Sequence, residues 1–421
     1  MTGACDLLLS SLRRGGGDEP VQLDGIPDTA WASLLTVAPR GLHPYLAYRL
    51  PQLIACERIP ATVRETLDTA RRGGAVGHLQ RQALLRRLTQ ALDRDEVPFA
   101  VVKGMVLAHL AYPDPALRPM GDIDLWTRPE HLDAAARALE GAGLRYPVRL
   151  AARKPAADRP EVASTRIFEL PGSGLIVELH GTLRSMAAVS PGWEEDAWSR
   201  CVRADLGGVD VKVPHEGDML AHLAIHCSAH HRFEFGLSGL LDIALWLEFA
   251  ADRLSWPTLR EQWTRDGCDT WIYLTLSLAR ELLDARVPPE YFRDGARPAH
   301  LEELRALGRA QVLDAVQTMP PALAKLSTLP SLGARARWLA DRLTTWYWTG
   351  REDASRTPLE AVRQATRRMA HDFRHKLPPY VHGLMSGSLR GDEYDRRKAL
   401  AIGRDRLAEL VALEREARRG G

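Results

Sequence analysis

Two aspartates, Asp122 and Asp124, have the spacing of a metal-binding pair. They lie in the segment 121–126, Gly-Asp-Ile-Asp-Leu-Trp, whose apolar residues predict a β-strand. Residues two apart on a strand project from the same face, so the carboxylates should lie side by side. Such a pair repels unless a cation lies between, and oxygen ligands with open positions suit Mg²⁺ together with substrate phosphates. Asp93 and Asp95 repeat the spacing within a charged helical segment, where residues two apart do not face each other.

A Lys-Gly turn precedes this pair. The apolar run 99–102 predicts a buried strand that ends at Lys103 and Gly104. The apolar spacing after Gly104 predicts a short helix. Its first amide groups, together with Gly104 and the ammonium of Lys103, would form a seat for phosphate.

A third carboxylate, Glu178, would complete a two-metal arrangement for in-line phosphoryl or nucleotidyl transfer. The runs 165–170 and 175–179 flank Pro-Gly-Ser-Gly, which predicts a β-hairpin that presents Glu178. His180 shares a face with Glu178. It could orient an acceptor, a phosphate or Glu178, or it could be a strand-end histidine bonded to backbone.

The order of these residues resembles a bacterial nucleotidyltransferase family of the DNA polymerase β-like superfamily, most of whose members are uncharacterised. The pattern comprises Lys103-Gly104, Tyr112-Pro-Asp-Pro, Arg118-Pro-x-Gly121-Asp122-Ile-Asp124 and Glu178-Leu-His180. One feature departs from the superfamily, since the usual Gly-Ser or Gly-Gly turn is Lys-Gly-Met here. Toxin-type relatives also pair a Lys-Gly turn with an arginine ahead of the two aspartates.

The resemblance implies an α+β fold with a polymerase β-like nucleotidyltransferase core, a mixed sheet with flanking helices. N-terminal helices and a large all-helical C-terminal region would surround it. Asp122, Asp124 and Glu178 would be the catalytic residues and hold two Mg²⁺ ions, with a nucleoside triphosphate as co-substrate. The residues assigned to binding the nucleotide or its phosphates are Lys103, Gly104, Arg118, Gly121, His180, His226 and His230.

A predicted helix at 219–231 carries His222, His226 and His230 on one face. Asp242, in the next predicted helix, could join them as a zinc ligand. It could instead pair with one of these histidines in a polar seam. In a third interpretation, which the resemblance favours, His226 and His230 face the cleft and contact base, phosphate or acceptor.

Composition is that of a globular protein with more than one hydrophobic core. The chain has 421 residues, of which 45% are hydrophobic and 26% charged, with a net charge of +2. We predict an N-terminal helical region at 1–92, a nucleotidyltransferase core at 93–214 and a helical region at 215–421. Five scattered cysteines indicate neither disulfides nor a zinc knuckle. No signal segment or membrane span is recognisable, so we expect a cytoplasmic protein without a membrane partner.

Three further segments have two interpretations each. The basic loop 145–160 is either a flexible loop or a lid over an anionic substrate. The aromatic run 346–348 is either a core plug or a base-stacking surface. The basic stretch 363–376 is either a solvated helix face or a contact for RNA, phosphopeptide or another anion.

The sequence therefore predicts an Mg²⁺-dependent nucleotidyltransferase that acts on a hydroxyl or phosphate of a small-molecule or peptide acceptor, for example in natural-product tailoring. One alternative is a toxin-like enzyme that modifies tRNA or protein, which the Lys-Gly turn and the basic stretch suggest. Another is a catalytically silent nucleotide-binding scaffold, because the usual Gly-Ser or Gly-Gly turn is missing.

Overall fold

The computed structural model describes residues 2–14, 26–146, 165–183, 190, 192–293 and 300–314, with several more between 403 and 413. Contacts divide the chain into two compact units, one of 1–145, 159–316 and 407–421 and one of 146–158 and 317–406. Most described residues belong to the first unit, which is the subject below. The predicted lid after Arg145, the aromatic run and the basic stretch lie outside the described residues. The predicted domain boundaries at 92 and 214 stay predictions.

Four helices precede the first strand. They are α1 (Thr2–Leu12), α2 (Asp28–Val37), α3 (His43–Leu53) and α4 (Ala61–Arg94). In α4 the leucines at 84, 85, 88 and 92 recur at helical spacing and are all buried. This stripe, which the sequence predicted, turns one side of α4 toward the core.

A four-stranded mixed sheet follows. Its strands are β1 (Ala100–Val102), β2 (Asp122–Trp126), β3 (Thr165–Leu170) and β4 (Leu175–His180), in the order β1-β2-β4-β3. β2 and β4 run parallel, and the other two neighbouring pairs are antiparallel. The predicted β3–β4 hairpin and the α+β class with a mixed sheet are confirmed.

The two faces of the sheet differ in chemistry. Ile123 and Leu125 of β2 and Val177 and Leu179 of β4 are fully buried on one face. Burial of each such side chain stabilises the fold by about 1.5–3 kcal/mol. A slip of one residue in register would exchange them for the polar side chains of the other face, so the apolar pattern fixes the register.

Helices flank this sheet. α5 (Gly104–Leu110) follows β1 and buries residues 105–108, and α6 (Leu132–Gly141) packs against β4 and α4. α7 (Gly192–Ser199) then leads to a small hairpin of β5 (Val202–Asp205) and β6 (Asp210–Val213), which packs on β1.

The described residues between 216 and 314 are mostly helical, as predicted. The helices are α8 (Glu216–Ile225), α9 (Leu237–Ala250), α10 (Trp256–Arg265), α11 (Asp269–Leu283), α12 (Pro289–Arg293) and α13 (Leu301–Asp314). α11 is the central one, because it contacts α8, α9 and α13 and is buried along most of its length. Within the described ranges, none of the helices combines the length and apolar character needed to cross a membrane.

Candidate active site

Parallel pairing of β2 with β4 brings carboxylates together. Asp124 and Glu178 are register partners across the two strands, so both project from the same face. Asp122, two residues earlier on β2, shares that face. All three side chains line a cleft of about 620 Å³. The two predicted catalytic aspartates and Glu178, more than 50 residues later in the sequence, thus meet at one wall of a cavity.

Asp124 lies at the centre of this carboxylate cluster. It is 4% exposed, and its Oδ1 accepts hydrogen bonds from Lys103 Nζ at 2.7 Å and from His180 Nε2 at 2.9 Å. Burial by itself would raise the pKa of Asp124, but Lys103 and His180 outweigh it and hold the pKa well below its usual range. Because both bonds end on Oδ1, Oδ2 is the oxygen that can bind a metal ion.

His180 holds these carboxylates in position. Burial, together with the charge of Lys103, lowers the pKa of His180, so its ring is neutral at pH 7. A neutral ring that donates from Nε2 to Asp124 accepts at Nδ1, where Thr165 Oγ1 lies 3.3 Å away. This tautomer is inferred from the bonding pattern. Nε2 also lies 3.5 Å from Glu178 Oε2. The ring of His180 is therefore bonded to other side chains and not to backbone, which was the alternative from the sequence.

Glu178 and Asp122 carry negative charge that the cluster does not neutralise. Burial and the charge of Asp124 raise the pKa of Glu178 to about 7, and the same two causes raise the pKa of Asp122. The charge of Lys103 lowers the pKa of both carboxyl groups, but both stay above their ordinary values. One donor atom each from Asp124, Glu178 and His180 lies within 4.8 Å of the others, close enough for an ion to bridge them. Donor atoms at this spacing fit a metal ion, and its assignment to Mg²⁺ held by Asp122, Asp124 and Glu178 stays a prediction.

The turn between β1 and α5 places strain on Lys103. Lys103 has φ +52° and ψ −119°, a conformation that costs a non-glycine residue on the order of 1–3 kcal/mol. Burial would lower the pKa of Lys103, but the carboxylates around it raise the value, so the side chain is a cation. It bonds to Asp124, and its predicted contact with phosphate stays a prediction.

The glycine at position 104 allows a neighbouring side chain to pack closely, and the conformation of the turn does not require it. A Cβ added to Gly104 would lie 2.8 Å from Arg118 Nη1, which is closer than real Cβ contacts come. Glycine thus lets the guanidinium of Arg118 rest against the first turn of α5.

Arg118 is fixed by Asp242. Its Nε and Nη2 donate to the two carboxylate oxygens at 2.9 and 2.8 Å, and the hydroxyl of Tyr112 donates to Oδ1 at 2.8 Å. Burial would lower the pKa of Arg118, but Asp242 raises it above the ordinary value, so the charge is permanent. Both interpretations that coupled Asp242 to the histidines, as ion-pair partner or as zinc ligand, are wrong. The arginine lies 124 residues earlier, a distance that local patterns do not report.

The histidine helix forms another wall of the cleft. The predicted helix 219–231 is α-helical only to Ile225 and then forms one π turn at 226–230. His226 and His231 line the cleft, whereas His222 is buried and His230 is exposed. Burial lowers the pKa of His226 well below its ordinary value and that of His231 to about 4, so both rings are neutral at pH 7.

Sequence reasoning missed Phe235, which lines the cleft, and Arg81, which contacts the backbone of Gly121. Arg81 Nη2 lies 3.4 Å from the carbonyl oxygen of Gly121, and its charge acts on Asp122. Nothing near Arg81 in sequence signals this contact, which spans 40 residues. Phe235 is 45% exposed, with its ring centroid 4.3 Å from that of His231. A large aromatic residue in a polar, glycine-ended loop was the available signal.

Comparison with known proteins identifies a family for this chain. Residues 27–284 match a family described as "uncharacterised nucleotidyltransferase". No curated protein matches the chain. Among solved structures, that of the antibiotic-resistance factor ANT(2'')-Ia is similar over 44% of this chain and 97% of its own, at 14% identity and a TM-score of 0.30. Because the family match spans more than half of the sequence and confirms the predicted resemblance, this chain belongs to the uncharacterised nucleotidyltransferase family and is a transferase.

Proposed function

We propose that this protein transfers a nucleoside monophosphate from a nucleoside triphosphate to a hydroxyl or phosphate of a small-molecule or peptide acceptor, using Mg²⁺. The observation that carries the proposal is the convergence of Asp122, Asp124 and Glu178 on one face of two parallel strands at the wall of a cleft. Carboxylates at this spacing suit metal-assisted, in-line displacement at phosphorus.

The chain's own residues would supply charge and position. When bound, Mg²⁺ would polarise the reacting phosphate and lower the pKa of an acceptor hydroxyl. The acceptor oxygen attacks the α-phosphorus, the bond to the β-phosphate breaks and pyrophosphate leaves. Lys103 and Arg118 line the same cleft as the carboxylates, and each would offset phosphate charge that builds up during this step. Arg118 would do so through Nη1, because Asp242 engages its other two nitrogens.

The size and lining of the cleft support a small acceptor. A volume of about 620 Å³ lies within the range of small-molecule sites. The neutral rings of His226 and His231 and the exposed ring of Phe235 line another part of it. Such a wall suits a nucleobase or the apolar part of an acceptor better than a phosphate backbone.

One observation favours a second candidate, a nucleotide-binding protein without transfer activity. Lys103 occupies Oδ1 of Asp124 and leaves one oxygen of this carboxylate for Mg²⁺, which would weaken the metal site. Equilibrium binding of Mg²⁺ and nucleotide would then occur without release of pyrophosphate.

The test is transfer of label from each α-labelled nucleoside triphosphate into a cell extract, followed by separation of small molecules, peptides and RNA. We expect label in the small-molecule or peptide fraction, and none with the Asp122→Ala, Asp124→Ala double variant. The matched control is Asp93→Ala with Asp95→Ala, an exposed pair of the same spacing at the end of α4. Label in RNA would favour the toxin-like alternative, and binding without any labelled product would favour the silent one.

A further inference from the structure

Three histidines gather imidazole nitrogens beside the cleft, apart from the carboxylate cluster. In His226, His230 and His231, one ring nitrogen each lies within 4.8 Å of the other two. Their ring centroids are 4.5–5.2 Å apart. This histidine cluster and the group of Asp124, Glu178 and His180 share no residue.

An irregular backbone brings the three rings together. The amide of His231 donates to the carbonyl oxygen of His226 at 3.0 Å, five residues back, which is the bond of a π turn. In a regular α-helix His226 and His230 would be neighbours and His231 would point about 100° further round the axis. The π turn thus adds His231 to the pair, and single π turns inside helices occur frequently at functional sites.

The next two residues are strained. Arg232 and Phe233 have φ of +46° and +61°, each costing a non-glycine residue on the order of 1–3 kcal/mol. An ordinary helix end, completed by one glycine, would avoid this cost. Phe233 is fully buried and anchors the segment, so the strained geometry is enforced by packing.

Phe235 restricts two of the three rings. Its ring centroid lies 4.3 Å from that of His231 and 5.9 Å from that of His226. An imidazole ring binds a metal ion through the lone pair of one of its ring nitrogens. His230 is exposed.

We propose that His226, His230 and His231 bind one transition-metal ion of the zinc class, at a site distinct from the Mg²⁺ site of the proposed function. Imidazole nitrogen suits transition-metal ions such as Zn²⁺ and Ni²⁺, whereas carboxylate oxygen suits Mg²⁺. The histidine cluster and the carboxylate cluster should therefore prefer different ions. In a tetrahedral zinc site with bonds of about 2.0–2.1 Å, ligand nitrogens lie about 3.3 Å apart. The His230 and His231 rings stack with their planes 11° apart, so metal binding requires side-chain rotation that turns their nitrogens toward one ion.

Three protein ligands leave a fourth position for a water molecule or a substrate group. Because His226 and His231 line the cleft, this position is next to the space in which we place the acceptor. A carboxylate, phosphate or hydroxyl of the acceptor is the chemical class that would fill it. Binding of the metal ion does not depend on the proposed transfer, whereas the assignment of the fourth position to the acceptor rests on it.

The test uses the metal-free full chain without a histidine tag, titrated with Co²⁺ in excess Mg²⁺ and followed by visible absorption. We expect one equivalent to give the intense bands of four-coordinate Co²⁺ with nitrogen ligands. His230→Gln and His231→Gln should each weaken Co²⁺ binding on the order of 100-fold or more, since even loss of an outer-shell partner costs 10–100-fold. His131→Gln, outside the histidine cluster, should leave the titration unchanged.

A second variant separates the two metal sites. The Asp122→Asn, Asp124→Asn double variant should retain the Co²⁺ bands, whether or not it retains transferase activity. Bands that persist in both His230→Gln and His231→Gln, or that disappear only in the aspartate variant, would overturn the proposal. Circular dichroism of each variant checks that the fold is intact.

Discussion

Replacement of Glu178 by glutamine should stabilise the metal-free protein at alkaline pH. The pKa of Glu178 is about 7 against an ordinary 4.5, because burial and the charge of Asp124 oppose ionisation. At 1.36 kcal/mol for each pH unit, the difference of 7 − 4.5 = 2.5 corresponds to about 3.4 kcal/mol. Since the side chain is 27% exposed, solvent screening reduces this to about 2 kcal/mol.

The effect has a defined pH dependence. Below pH 4.5, Glu178 is protonated in the folded and the unfolded chain and costs nothing. As pH rises toward 7 the unfolded chain ionises first, so the folded state loses stability, and above pH 7 the full cost is present. The free energy of unfolding of Glu178→Gln should therefore equal that of the wild type at pH 4 and exceed it by about 2 kcal/mol at pH 8.

Urea unfolding in the presence of a chelator measures this difference. Glu169→Gln, at an exposed position of the neighbouring strand β3, is the matched control and should show no such divergence. Added Mg²⁺ should stabilise the wild type at pH 8 more than Glu178→Gln, because it binds the ionised carboxylate. A variant that is less stable than the wild type at pH 8, or a gap that does not change with pH, would refute the argument.

Other substitutions test other contacts. Asp124→Asn leaves the buried partners of this carboxylate uncompensated and should lower the free energy of unfolding in urea by about 3–5 kcal/mol. Asp122→Asn should change it by much less. Equal losses would contradict the view that only Asp124 is held by buried hydrogen bonds from Lys103 and His180. Arg118→Lys cannot form the two-pronged ion pair and should lose about 1.5–3 kcal/mol of stability, and an unchanged unfolding curve would contradict this. Gly104→Ala displaces the guanidinium of Arg118 and should raise KM for the nucleotide. Gly192→Ala, at the start of α7 with open space around it, should not; equal KM values for the two variants would argue against placing Arg118 at the nucleotide.

Local patterns predicted the elements but not all of their pairings. Alternating and helical apolar spacing located β1, β2, the β3–β4 hairpin and α4, because each is set by residues close in sequence. The neighbourhood of β2 and β4 depends on strand order, which no local pattern contains. The closeness of these two strands was expected on chemical grounds. A third carboxylate can complete a metal site with Asp122 and Asp124 only if it lies beside them, so Glu178 was expected next to Asp124.

Chemical expectation failed where a pairing was remote and structural. Asp242 was assigned to histidines because they lie near it in sequence, whereas the geometry gives it to Arg118. Regular α-helical spacing also predicted a row of His222, His226 and His230. The π turn after Ile225 shifts the register and brings in His231, and packing of the irregular segment, not its composition, stabilises that turn.

The most direct test of the central claim is pyrophosphate release from the four nucleoside triphosphates with Mg²⁺ and an extract as acceptor source. We predict release with at least one nucleotide by the wild type and by the Asp93→Ala, Asp95→Ala control, and none by Asp122→Ala with Asp124→Ala. Release that survives loss of both aspartates, or nucleotide binding by the wild type without release, would contradict the assignment of catalysis to the carboxylate cluster.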